Sequence, residues 1–299
     1  MKLHQIFIPI VAALIIFLQS CEKEIDIDVP PAPKQWVVEA SINQFSPFLN
    51  YVFISNSIDY FKPDLTIGGV GGAQVFITEG RIVGSDTIFD GPLTQFFSIS
   101  NFEGLDTIFD NFEVVQNLRG IYINPAFVGE AGKAYKLNIT LQNGDEITGT
   151  THIPNPVTID SINYTIGTAV DTAGRKEAFL SFFWNDPPGQ NNYRLYVNRS
   201  FTGILLGWGA SDFSRTFDDQ LLDNTPRAYS IFRPFRQTDT VHIYLTTIGR
   251  REFLFWESFG NAVNNGGPFA TPVQLRSNIN GAIGTFTGYG VAYKSAILE

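Results

Sequence analysis

The first residue in this chain with evident chemistry is a thiol. Cys21 is the one cysteine among 299 residues, and it closes the tetrapeptide Leu18-Gln19-Ser20-Cys21, which has the form of a lipobox. Ahead of it lie a weakly basic start, with Lys2 and His4, and an apolar run from Ile6 to Leu18 that is too short to span a bilayer. Cleavage before Cys21 would leave an amine and a thiol on one residue. Acylation of both supplies two or more chains, enough for stable anchoring where a single chain is not. An unlipidated secreted form and an uncleaved membrane anchor stay open as alternatives. A sole cysteine cannot close a disulfide within the chain, and no Cys/His zinc set can be assembled from it.

Few other residues carry recognisable chemistry. Past the leader the histidines are His152 and His242, each in an alternating run and neither beside a Ser or Asp in triad context. Both read as structural or surface histidines. Asp218-Asp219 with Asp223-Asn224 lacks the alternating oxygen ligands and central glycine of a calcium loop, so a solvated turn is expected there. Gly68 to Gly72 is glycine-rich, but no Lys-Ser/Thr follows and the next segment reads as a strand, so it is expected to be a flexible loop. The expectation is therefore of no catalytic residue, no metal and no cofactor. Long-loop aromatics, Tyr60, Phe61, Phe201 and Trp208, are the candidate ligand contacts, because flat rings stack on sugars or peptides at low entropic cost. Ordinary core packing is the alternative for all four. A surface hydrolase with a glycosidase-like carboxylate pair drawn from distant loops also stays open, as does a purely structural or adhesive sandwich.

Charge narrows the choice of partners. The net charge is −9, and the densest basic stretch, Arg227, Arg233, Arg236, Arg250 and Arg251, is interspersed with apolar residues expected on separate faces. With no basic stripe, nucleic acid is not an expected partner. Residues 21–34 combine Glu22, Glu24, Asp26 and Asp28 with Pro30, Pro31 and Pro33, the composition of an extended tether after a signal peptide over 1–20.

The elements that must position any site read as β structure. Phe and Tyr are abundant and Met occurs once, which suits strands. Trp36, Val38, Ala40 and Ile42 alternate, as do Val75 and Ile77. Tyr135 to Leu141, Asn143-Gly144 and Glu146 to Ile153 predict a hairpin with a type I′ turn. Pro154-Asn155-Pro156 then marks a boundary. Phe179 to Trp184, Asp186-Pro187-Pro188-Gly189 and Tyr193 to Val197 give the strand, turn and strand order of a fibronectin type III-like sandwich, with Val241 to Thr247 continuing the alternation. The fold expected is all-β: two immunoglobulin- or fibronectin III-like β-sandwiches over 35–155 and 156–299. One amphipathic helix over 250–263 is expected in the second, burying Phe255, Trp256, Phe259 and Val263 on one face.

Trp256, Pro268-Phe269, Pro272, Ser277-Asn278-Ile279, Gly281, Gly284, Phe286 and Tyr289, in that order, resemble the closing signature of a Bacteroidota outer-membrane lipoprotein family, domain-of-unknown-function family 4249. Cys21-Glu22-Lys23-Glu24-Ile25-Asp26, the proline-rich tether and Val37-Val38-Glu39 resemble its opening, and the acidic run resembles the export signals of surface lipoproteins in that phylum. The resemblance implies an accessory lipoprotein encoded beside a TonB-dependent outer-membrane receptor, cell-surface exposed and assisting capture or uptake of a small-molecule, glycan or peptide ligand. It brings no catalytic or binding residues. Thr87, Thr107, Ser161, Thr172 and Thr240 each follow Asp and precede a small or aliphatic residue, a pattern similar to the O-glycosylation acceptor of exported Bacteroidota proteins. That such pairs simply start strands is equally open. Replacement of Cys21 by Ser is expected to abolish metabolic palmitate labelling and release the chain from membranes; labelling that persists would contradict the lipobox.

Overall fold

The computed structural model describes residues 33–58, 68–101, 118–199, 208, 211–220, 223–265, 271 and 273–299. Cys21, the tether up to residue 32, Tyr60, Phe61, Thr107 and Phe201 lie outside the described residues.

Period-two alternation builds the first half. In β1 (Trp36–Asn43) and β2 (Tyr51–Asn56), Val38, Ala40, Ile42, Val52 and Ile54 point into one core. It is completed from β3 (Gln74–Val83), β5 (Leu93–Ser98), β6 (Ile121–Ile123), β7 (Ala134–Thr140) and β8 (Glu146–His152), with β4 (Asp86–Ile88) pairing along β3. The β7–β8 hairpin is present, but its turn differs from the expected type. Gly144 has φ 89° while Asn143 is not among the positive-φ residues. Gly144 N–H donates to Leu141 O at 2.9 Å, and Leu141 N–H to Asp145 O at 2.9 Å. Asn143 is held instead by its own side chain, which accepts from Asp145 N–H at 3.0 Å and donates to Asp145 Oδ2 at 2.7 Å.

The second half packs sheet on sheet. β9 (Ile159–Val170), β10 (Lys176–Asn185) and β13 (Pro226–Arg236) form a three-stranded sheet in the order β13-β10-β9. Facing it lie β11 (Asn192–Asn198), β12 (Phe213–Asp218) and β14 (Thr240–Ile248). Phe182 and Trp184 from one sheet meet Leu195, Val197, Ile243 and Leu245 from the other. Helix α1 (Arg250–Asn264) follows, then β15 (Ile279–Asn280) and β16 (Ile283–Ile297). Among the described residues the protein is thus mainly β, with packed sheets and the long helix α1.

β16 crosses the expected boundary at residue 155. Fifteen residues of strand extend about 50 Å, long enough to serve both halves. Ile283 to Tyr289 pair parallel with β1, and Gly290 to Ile297 pair antiparallel with β14. β15 pairs with β8, and Ile279 and Phe286 belong to the first core. A cut at 155 therefore leaves residues 279–289 with the wrong half, because these C-terminal residues complete the N-terminal sheets. Where β16 changes partners, the connection between halves runs directly over it. A Cβ on Gly288 would sit 2.1 Å from His152 O, and one on Gly290 2.2 Å from Pro154 O.

Backbone cannot yield there as a side-chain end could. Gly288→Ala is expected to cost about 3 kcal/mol of stability through forced overpacking. In α1, Gly260→Ala meets nothing within 4 Å and is expected to add about 1 kcal/mol through helix propensity. Chemical-denaturation midpoints check both, and shifts of the same sign would contradict the crossing.

Candidate functional site

Strands β11 and β14, and β16 as far as Val291, are buried on both faces. Their inner face holds the second core, and their outer face carries Tyr196, Tyr244 and Tyr289 in one cluster with Leu49, Trp208 and Phe253, Phe255 and Trp256 of α1. Trp208 lies here with 2% exposure, which corrects its expected place as an exposed loop aromatic. Its ring is 4.6 Å from that of Tyr196 and 5.1 Å from that of Tyr289, and its Nε1–H donates to Ser41 Oγ at 3.0 Å. Tyrosine faces left open on a sheet need such a cover, and a large ring with one polar handle suits the place.

Arg194 fixes the helix to this surface. Its guanidinium lies 3.7 Å from the ring centre of Trp256. Nε–H donates to Tyr196 Oη at 2.6 Å and Nη1–H to Thr216 Oγ1 at 2.7 Å. Tyr196 Oη donates onward to Tyr289 Oη at 3.0 Å. Phe253, Phe255 and Trp256 are buried, whereas Phe259 and Val263 are 42% and 66% exposed. The expected four-residue face is therefore half right: α1 docks by its first two turns and its C-terminal end runs past the sheet.

The start of α1 is tied to the first half. Glu252, 2% exposed, accepts from Thr151 Oγ1 at 3.0 Å and from Asn278 Nδ2 at 2.9 Å. Thr151 Oγ1 also accepts from Gly288 N–H at 3.0 Å. Beside these ties runs a groove of about 460 Å³, within the ~300–1,000 Å³ range of small-ligand sites. Its floor is the outer face of β7, β8 and β15, where Lys136 stands opposite Thr150 and Asn280 opposite Thr148. Its walls are Arg251 and Leu254 of α1 and the Arg276–Asn278 segment. Among the described residues, Lys136, Arg251 and Arg276 pair with no carboxylate. Arg251 leans on Thr150, donating to its carbonyl at 2.5 Å and its hydroxyl at 3.1 Å. A smaller hollow of about 330 Å³ adjoins, sharing Thr150 and Arg251 and reaching Thr87 and His152.

The residues singled out from sequence fall elsewhere. His242 stacks on Tyr293 with Nδ1 2.8 Å from its hydroxyl, and burial lowers its pKa. Thr87 is exposed in β4, Thr172 is exposed in the turn after β9, and Ser161 and Thr240 are half-buried in strands. Gly68 to Gly72 is no free loop: Val70 N–H donates to Ile54 O at 2.8 Å, and Tyr122 Oη donates to Val70 O at 2.9 Å. The solvated turn is also corrected, since Asp219 is 1% exposed and lies with Asp186 and Asp223 in one carboxylate cluster. Two loops close on each other there and bury it. The groove cations were missed because Lys136, Arg251 and Arg276 are far apart in sequence; a strand, a helix and a loop bring them together.

Fold and groove define a class: an all-β protein of packed sheets with one docked helix and a cation-walled groove. The model of the family Domain of unknown function (DUF4249) matches residues 22–295, and the chain belongs to that family. No curated protein matches it. A solved structure similar to it is a DUF3823 family protein from Bacteroides uniformis ATCC 8492, at 10% identity and a TM-score of 0.24, with 89% of this chain and 100% of that chain covered.

The aromatic seam predicts a pH response. Burial raises the phenol pKa of Tyr51 and Tyr289 well above the usual range, and raises that of Tyr196 against the opposing charge of Arg194. An unfolded tyrosine ionises near about pH 10. Stability from these three is thus full below that pH and is lost as pH rises above it. In an alkaline titration the last tyrosinate absorbance is expected to appear together with loss of β circular dichroism. Titration of all 11 tyrosines while the chain stays folded would contradict the seam.

Proposed function

We propose that this protein is a non-enzymatic, lipid-anchored protein of the outer-membrane surface that captures an acidic oligosaccharide and serves a TonB-dependent receptor. The observation that carries the binding reading is the convergence of Lys136, Arg251 and Arg276, without carboxylate partners, on one walled groove. In a chain of net charge −9, unneutralised cations at one place mark where negative charge is accepted. Thr148, Thr150 and Asn280 supply the hydroxyls and amide that would fix a sugar's orientation, while Ser277 and Asn278 hold the wall itself through bonds to Gly284, Phe286 and Glu252. The lipobox at Cys21 and the resemblance of both chain ends to surface lipoproteins support the location and the receptor partner.

Catalysis receives less support than binding. Glycoside cleavage needs two carboxyl groups across the scissile bond. Among the described residues the larger groove is lined by none, and the adjoining hollow by Glu252, whose Oε1 is engaged by Thr151 and Asn278. Of the Asp-Ser/Thr sites described, Thr87 and Thr172 are the exposed ones, so they are the acceptors proposed for glycan.

Calorimetric titration with a uronic-acid oligosaccharide and a neutral one of equal length tests the groove. Saturable binding of the acidic sugar is expected, weakened roughly tenfold by each of Arg251→Gln and Arg276→Gln and further by salt. Equal binding of the neutral sugar, or variants that bind as wild type, would refute it. Cross-linking in intact cells is expected to recover a TonB-dependent receptor; repeated recovery of none refutes that part of the reading.

A further inference from the structure

At one end of the second sandwich, where Asp218 pairs with Arg250 at the start of α1, three acids meet. Asp186 directly follows β10, Asp219 directly follows β12, and Asp223 stands in the turn before β13. One oxygen of each lies within 4.8 Å of the others. Asp186 and Asp219 are buried, at 4% and 1% exposure, while Asp223 is exposed.

Their hydrogen bonds leave one oxygen over. Asp186 accepts from Tyr193 Oη at 2.5 Å and from Asn224 N–H at 3.2 Å. Asp219 Oδ2 accepts from Asn191 N–H at 2.8 Å and Nδ2 at 3.2 Å. Asp219 Oδ1 is fully buried and has no hydrogen-bond partner among the described residues. Buried carboxylate oxygens are normally satisfied, so an orphan among acids calls for a positive partner. Desolvation raises the pKa of Asp186, and the charge of Asp219 raises it further; Tyr193, Asn224 and Arg227 act in the opposite direction. Arg227 also lies 5.9 Å from the Trp184 ring centre. One such cation against three acids leaves the cluster negative.

We propose that Asp186, Asp219 and Asp223 bind one divalent cation of calcium's size. The donors are oxygens alone, the set that hard cations take. Three atoms no more than 4.8 Å apart lie within roughly 2.8 Å of a common point, so calcium's ~2.3–2.6 Å bonds need only slight closure, whereas magnesium's ~2.0–2.1 Å bonds need more. Water fills the remaining positions. The ion would tie the β10–β11 loop to the β12–β13 loop and supply the charge that the orphan oxygen lacks.

The test uses the full-length chain in detergent, stripped with chelator and titrated calorimetrically with calcium chloride. One saturable site per chain is expected, with a dissociation constant of about 0.1–1 mM, and melting is expected to shift upward by several degrees in excess calcium. Asp223 is exposed and makes no hydrogen bond among the described residues, so Asp223→Asn leaves folding intact and is expected to weaken binding at least tenfold. Asp219→Asn is expected to abolish it; should that variant fail to fold, Asp223→Asn decides. Absence of saturable heat, full binding in Asp223→Asn, or magnesium binding as tightly as calcium would each overturn the proposal.

Discussion

The arrangement depends on one strand belonging to two sheets. β16 pairs parallel with β1 over its first part and antiparallel with β14 over its second. The connection between halves crosses it where Gly288 and Gly290 carry no side chain. A parallel pair between the first and last strands joins the most distant parts of the chain, and its loop-closure cost must be met by contacts on both sides. It is met by two apolar cores and a third aromatic layer beneath α1. Because β16 threads all of these, the two halves cannot move apart without breaking a ladder.

That rigidity places the groove. One wall is the start of α1, held to the second half by Arg194 on Trp256 and to the first by Glu252 on Thr151 and Asn278. A buried guanidinium is costly alone. Here the Trp256 face, the Tyr196 hydroxyl and Thr216 receive it, and a desolvated cation–π contact is worth about 2 kcal/mol. The floor belongs to β7, β8 and β15. Arg251 therefore shares one groove with Lys136 and Arg276 across an interface that the shared strand keeps fixed, the preorganisation that the proposed acidic oligosaccharide would need.

Strands were legible where alternation was strong. Val38, Ala40 and Ile42, the β7–β8 hairpin and the Trp184 strand all lie where their patterns place them. The helix was legible in position but not in its buried face, because periodicity cannot tell where a supporting sheet ends. The domain boundary failed for a related reason: Gly281, Gly284, Phe286 and Tyr289 looked like signature residues, and nothing local says that the strand holding the last three closes a sheet begun at Trp36. Trp208 looked like a loop aromatic because two of the residues it packs on, Ser41 and Tyr289, are distant in sequence. The groove and the carboxylate cluster were illegible alike, each being built from side chains on separate elements. Asp219 and Asp223 were visible as a pair, yet Asp186, which completes their cluster, lies more than thirty residues earlier.

Native-state hydrogen exchange along β16 tests the shared strand most directly. Amides of residues 283–289 and 290–297 are expected to exchange through the same global opening, with one free energy and one denaturant dependence. Two distinct openings, with the half nearest β14 released while the half beside β1 stays protected, would contradict a single strand holding both cores together.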